Sequence, residues 1–169
     1  MRDESRIVVV ADSGRGRVYA LEPEEKQGST NIPPLREVAS MVNSSRRLRD
    51  DEVFSESRPG LRQGAAGVSV HGVDDRRDSH KDELDRRFAG DIVDKVLEVT
   101  RGLGAKRIVL AASPHMLGHL RSRTAKWSES GYEVEELARD LTQLTPAQLH
   151  DRLAEEELIP PRSRYGQHG

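Results

Sequence analysis

Cysteine is absent from the 169-residue chain. Disulfides, thiolate catalysis and cysteine-ligated zinc or iron–sulfur sites are therefore excluded. Aromatic residues make up only 4% of the sequence, and Tyr19, Phe54, Phe88, Trp127, Tyr132 and Tyr165 are the whole set. So small a set argues against an aromatic platform that stacks exposed bases. Long apolar runs are missing as well. The opening MRDESRIVVVAD places one short apolar stretch behind mixed charges. A secretory signal needs a longer stretch behind a basic region, and a membrane helix needs about 20 apolar residues. The expectation is a cytoplasmic protein with no membrane partner.

What is present is charge and polar surface. Charged residues are 33% and hydrophobic residues 34%, with a mean hydropathy of -0.72. The length suits one domain with a single core. The net charge of -2 hides an uneven distribution. Thr100 to Ser128 holds six bases (Arg101, Lys106, Arg107, Arg121, Arg123, Lys126) and no acid. Glu129 to Leu158 holds nine acids against Arg139 and Arg152. Such blocks form a solvated surface, an anion-binding face or a self-complementary interface between copies.

Arg6 to Ala11 (RIVVVA) reads as a strand buried on both faces. The turn residues Asp12-Ser13-Gly14-Arg15-Gly16 lead into the alternating Arg17 to Glu22, which gives a hairpin. Leu35 to Val42 suits a third strand. Asn43 to Ser79 has no sustained periodicity, and its seven arginines balance seven acids. The reading is a long mobile loop over 44–79. His80 to Thr100 reads as a helix capped by Ser79. Its apolar stripe is Leu84, Phe88, Ile92, Val96 and Val99, and Asp82–Arg86 and Glu83–Arg87 are expected as i,i+4 pairs on its wet side. Gly102 and Gly104 stop it. Ile108 to Ala112 is a second buried strand, followed by Ser113-Pro114 as cap and first residue of a short helix to about Arg123. Gly131 to Leu137 suits an edge strand. Thr145-Pro146-Ala147-Gln148 opens a helix to about Glu157 through a capping box. Residues 1–158 thus form one α/β domain, a mixed sheet with flanking helices, and 159–169 form a flexible tail.

Two places suit an anion. In the Asp12, Ser13, Gly14, Arg15, Arg17 turn, glycine lets backbone amides approach a ligand and arginine adds charge. The alternative is a hairpin turn in which Asp12 bonds its own backbone. Ser113 and His115 stand where a strand ends and a helix begins, with Arg121, Arg123 and Lys126 following. His115 and His119 have the i,i+4 spacing of zinc ligands. Met116, however, stands where an HExxH motif carries its glutamate, so no metal and no cofactor are expected. No nucleophile elbow or phosphate-binding loop motif occurs, and no catalytic residue is assigned.

The motifs fall in a familiar order. IVVVADSGRGRVYAL, Ser55-Glu56-Ser57-Arg58-Pro59-Gly60, the helix from His80 through Phe88-Ala89, IVLAASPHMLGHLR, and Arg139-Asp140-Leu141-Thr142 with Leu144-Thr145-Pro146 resemble the bacterial host-attachment family, from Arg6 to Leu153. The resemblance implies a relation to the middle domain of the eukaryotic and archaeal peptide-release factor, with a ribonuclease-H-like core. The Gly-Gly-Gln tripeptide of that factor is missing here. The resulting expectation is a non-enzymatic intracellular binding domain. Its anion-facing surface, for RNA or the ribosome, comprises Asp12 to Arg17, Arg58 and Ser113 to Lys126. One alternative is a metal-dependent phosphoesterase centred on Asp12, which requires Asp91 or Asp140 nearby. The other is a homo-oligomeric partner-binding module joined through the basic and acidic blocks.

Overall fold

The computed structural model describes residues 5–22, 35–46 and 70–162. Arg58 and residues 47–69, most of the segment read as a loop, lie outside the described residues, as does 163–169 of the tail. Five strands form one mixed sheet. β1 (Arg6–Ala11), β2 (Arg15–Leu21) and β3 (Arg36–Val42) make an antiparallel meander. β4 (Arg107–Ala112) and β5 (Glu133–Leu137) run parallel to β1 on its other side, giving the order β3-β2-β1-β4-β5. The α/β expectation holds. β1 and β4 are central, which is why both read as unbroken apolar runs rather than alternating ones.

The sheet divides the core into two layers. One face carries Ile7, Val9, Ala11, Val18, Ile108 and Leu110, covered by α1 (Val70–Leu103) and α2 (Pro114–Thr124). The other carries Val8, Val10, Tyr19 and Val109, covered by Leu149 and Leu153 of α3 (Pro146–Glu155) together with Leu141 and Ile159. On α1, Leu84, Phe88, Ile92 and Val96 recur every four residues and are all buried. Cutting the fully buried Ile92 back to alanine is worth about 2–5 kcal/mol.

α1 corrects the sequence reading. It begins at Val70, so Ser79 lies within the helix and does not cap it. The reason is physical: Asp74 to Ser79 contains no apolar residue, so this stretch carries no apolar stripe to betray a helical period. At its C-terminus the helix runs on to Leu103, so Gly102 lies inside it and only Gly104 ends it as expected. Gly104 takes φ 66°, its amide donates to Arg101 O and that of Ala105 donates to Thr100 O, a Schellman ending.

The other caps are mixed. At α3, Gln148 N donates to Thr145 Oγ1 and Thr145 N donates to Gln148 Oε1, which completes the capping box. At α2, Ser113 holds the cap position and Pro114 follows, but the Ser113 hydroxyl makes no cap hydrogen bond. Its amide donates instead to Ala11 O at 3.2 Å, which ties the start of α2 to the end of β1. Among the described residues, no helix is long and apolar enough to cross a membrane.

Candidate functional site

The chain leaves β1 through a tight hairpin turn in which Asp12 N donates to Arg15 O. Neighbouring side chains in this turn depart to opposite faces of the sheet. Asp12 turns toward the α3 face. Its Oδ1 accepts from Gly14 N at 2.7 Å and Arg15 N at 2.8 Å, so the amides that suit an anion are held by the turn's own carboxylate. Its Oδ2 lies 3.1 Å from Thr142 Oγ1, and the same hydroxyl lies 2.6 Å from Asp140 Oδ1. A hydroxyl has one proton and satisfies one carboxylate at a time.

Ser13 turns the other way, to Asp85 on α1. Asp85 is the centre of a buried polar cluster, its side chain only 2% exposed. It accepts from Ser13 Oγ at 3.1 Å and from Arg46 Nη1 at 2.7 Å on both oxygens, with Asn43 Nδ2 at 3.5 Å. His115 Nε2 stands 3.1 Å away. Asn43 also donates to Ser13 O, and its own amide donates to Gly14 O, so the end of β3 is pinned to the turn. A buried carboxylate without such partners would be strongly unfavourable. Four segments (the turn, the end of β3, α1 and α2) thus meet on one charge.

Next to it, Asp82 reaches α2. Its Oδ1 lies 2.9 Å from His119 Nε2 and 3.4 Å from His115 Nε2. The expected Asp82–Arg86 pair is thereby corrected: Arg86 turns to Glu83, which also takes Arg87, and Asp82 serves the histidines. The hydrogen bond to Arg86, with its charge and that of Arg87, lowers the Glu83 pKa against the opposing effect of burial. Asp82, His115 and His119 are, among the described residues, a group of three whose ligand atoms all lie within 4.8 Å of one another.

The predicted anion-facing cations divide by environment. Arg121 is held by Glu136 of β5 through contacts of 2.6–3.2 Å, and that hydrogen bond raises the guanidinium pKa. Arg17 has a loose contact of 3.9 Å with Glu37. Arg107–Glu133 is a further pair between the basic and acidic blocks, so part of their charge cancels within the chain. Arg15, Arg123 and Lys126 make no ion pair among the described residues.

Arg123 lies at a cleft of about 450 Å³ lined by Asn43, Ser45, Phe88, Gly90, Asp91 and Arg87, among others. A Cβ placed on Gly90 would stand 2.9, 3.1 and 3.2 Å from Cζ, Nη1 and Nη2 of Arg123. Near-equal distances to three atoms of one plane mean that the guanidinium lies face-on against the glycine backbone. Gly90 provides the space for it, in a cleft whose lining also includes the carboxylates Asp91 and Asp94.

The structure therefore joins Ser13 to His115 through Asp85, and sets Asp12, Arg15 and Arg17 on the opposite face. Asp140 comes to Asp12, whereas Asp91 lines the Arg123 cleft. Sequence reasoning missed Asp85, Asn43 and Arg46. One signal was present: Asp85 falls in line with Ala89, Ile92 and Val96 at helical spacing, so it is a charge on the core-facing stripe.

No curated protein matches the chain. The model of a family described as "Protein required for attachment to host cells" matches residues 7–153, a span that takes in β2 to β5, all of β1 but Arg6, both polar clusters and the Arg123 cleft. The chain belongs to this host-attachment family.

Proposed function

We propose that the protein is a non-enzymatic, cytoplasmic binding domain that takes up phosphate-bearing RNA, free or in the ribosome, on the surface around Arg123. The observation that carries this reading is the Arg123 guanidinium laid face-on against Gly90, without an ion pair among the described residues. An arginine held flat in this way loses little freedom when its edge donates to a phosphate. Lys126, exposed three residues further along, adds a second cation to this part of the chain. The Asp85 cluster is a support rather than a reactive centre, because Ser13 donates to the carboxylate and not to His115, so no nucleophile–base pair forms. The reading keeps the release-factor relation, and a meander flanked by two strands parallel to its first supports a ribonuclease-H-like core.

The test is fluorescence anisotropy of labelled single-stranded RNA across a salt series. Binding should weaken steeply with salt, by about 0.7 log units per log unit of salt for each phosphate contact. Arg123→Ala should lower the slope by about one contact. Salt-insensitive binding, or none at low salt, contradicts the proposal.

One observation favours the phosphoesterase alternative: Asp12 and Asp140 share the Thr142 hydroxyl. Among the described residues no third metal-ligating side chain joins them, and two-metal chemistry needs several converging acids. Magnesium-dependent hydrolysis of a phosphodiester, lost in Asp12→Asn, would establish that alternative instead.

A further inference from the structure

We propose that Asp82, His115 and His119 bind a zinc-class divalent ion that ties α1 to α2. Two imidazole nitrogens, both Nε2, approach one carboxylate oxygen, Asp82 Oδ1, at 3.4 and 2.9 Å. An ordinary surface ion pair brings one cation to a carboxylate; here two ring nitrogens converge on the same oxygen. The His115 and His119 rings stand edge to face, 88° apart, with centroids at 4.9 Å. All three ligand atoms lie within 4.8 Å of one another.

These separations suit a small ion. Zinc bonds to nitrogen and carboxylate oxygen are about 2.0–2.2 Å, so tetrahedral donors stand about 3.3 Å apart. The two Asp82 contacts are within a few tenths of an ångström of that value, and the third edge, between the two ring nitrogens, is no longer than 4.8 Å. Two imidazoles and a carboxylate select zinc and its first-row neighbours over calcium or magnesium, which prefer all-oxygen shells.

The donors sit on helices already packed together. Met116, Leu117 and Leu120 of α2 are buried in the same core layer as Phe88 and Ile92 of α1. The folding of the domain therefore brings the three donors together before any ion arrives. Asp82 and His115 side chains are about half exposed, at 53% and 52%, so an ion can enter from solvent and keep water on its remaining position.

The buried neighbour tolerates the ion. His115 Nε2 also faces Asp85 Oδ2 at 3.1 Å, and a metal on that nitrogen would remove this contact. Asp85 would keep Arg46 and Ser13, so its charge stays compensated. The absence of an HExxH motif is then no objection. The third donor comes from α1, 37 positions before His119, rather than from the same helix.

The experiment uses the full chain stripped with EDTA and titrated with zinc chloride by calorimetry, with cobalt(II) absorption as a second readout. One equivalent of zinc should bind, and cobalt should give the visible bands of a low-coordinate site. His119→Gln and Asp82→Asn should each weaken zinc by about 100-fold or more with unchanged far-UV circular dichroism. His80→Gln, an exposed histidine outside the group, should leave affinity unchanged. Should either variant fold poorly, wild-type histidine NMR decides: zinc must shift the Nε2 resonances of His115 and His119. A simple histidine–aspartate ion pair predicts no stoichiometric binding, and that result overturns the proposal. So does tight binding that survives both substitutions or leaves those resonances unmoved.

Discussion

Asp12 and Asp85 are carboxylates at the same edge of the sheet, on opposite faces, and they are held in different ways. Asp12 is satisfied mostly by amides two and three residues along its own turn, with Thr142 as its one distant contact among the described residues. Asp85 is satisfied by Ser13, Asn43, Arg46 and His115, which lie 30–72 positions away. The first fixes the shape of a hairpin; the second fixes how four segments meet. A local carboxylate and a tertiary one should therefore differ sharply when removed.

The largest effect is expected at Asp85. Asp85→Ala leaves the Arg46 guanidinium beside a vacated buried position, and breaking such a pair costs about 3–5 kcal/mol. Asp12→Ala should cost less, about 0.5–2 kcal/mol, as the loss of a capping carboxylate does. Chemical denaturation of both variants measures the contrast, and equal losses would erase the distinction between them. Next comes the capping box on the α3 side, where Thr145→Ala should also cost about 0.5–2 kcal/mol.

A pH titration sharpens the contrast between faces. His150 on α3 is buried, and its Nε2 donates to Pro160 O at 2.8 Å. Its Nδ1 is buried without a partner among the described residues. Burial, more than any other influence, pushes its pKa below the ordinary 6.5. The unfolded chain therefore takes up the proton first as pH falls. The stability His150 contributes is complete above pH 6.5 and is lost as pH drops through the lowered folded value. Thermal unfolding between pH 8 and about pH 4 should show this decline, and His150→Gln should flatten it.

The smallest effect on stability, and the most informative for binding, belongs to Gly90. Alanine there improves helix propensity by up to about 1 kcal/mol. The new Cβ pushes the Arg123 guanidinium off the backbone, a displacement that a flexible side-chain end accepts at little cost. Stability should stay level or rise slightly while anion binding falls.

The contrast between Asp12 and Asp85 also explains what could be read in advance. β1 and β4 were legible from their unbroken apolar runs, α3 from Thr145 and Gln148, and the end of α1 from Gly104, because each signal lies within a few residues of its effect. The Asp12 turn was legible for the same reason. Asp85, Asn43 and Arg46 were not, since their meaning arises only when distant segments meet, and Asn43 and Arg46 sit where the chain reads as a loop. The start of α1 was hidden because Asp74 to Ser79 offers no apolar residue from which a helical period can be read. Gly90 gave no hint of Arg123, 33 residues onward and on another helix.

Arg123, placed against Gly90, is the group on which anion binding is proposed to depend. The most direct measurement is single-stranded RNA affinity across a salt series for wild type, Gly90→Ala and Arg123→Ala, each checked for stability. Wild type should bind in a salt-sensitive manner and both variants several-fold more weakly, with Gly90→Ala at least as stable as wild type. Wild-type affinity in both variants, or no salt-sensitive binding by the wild type, would contradict the proposal.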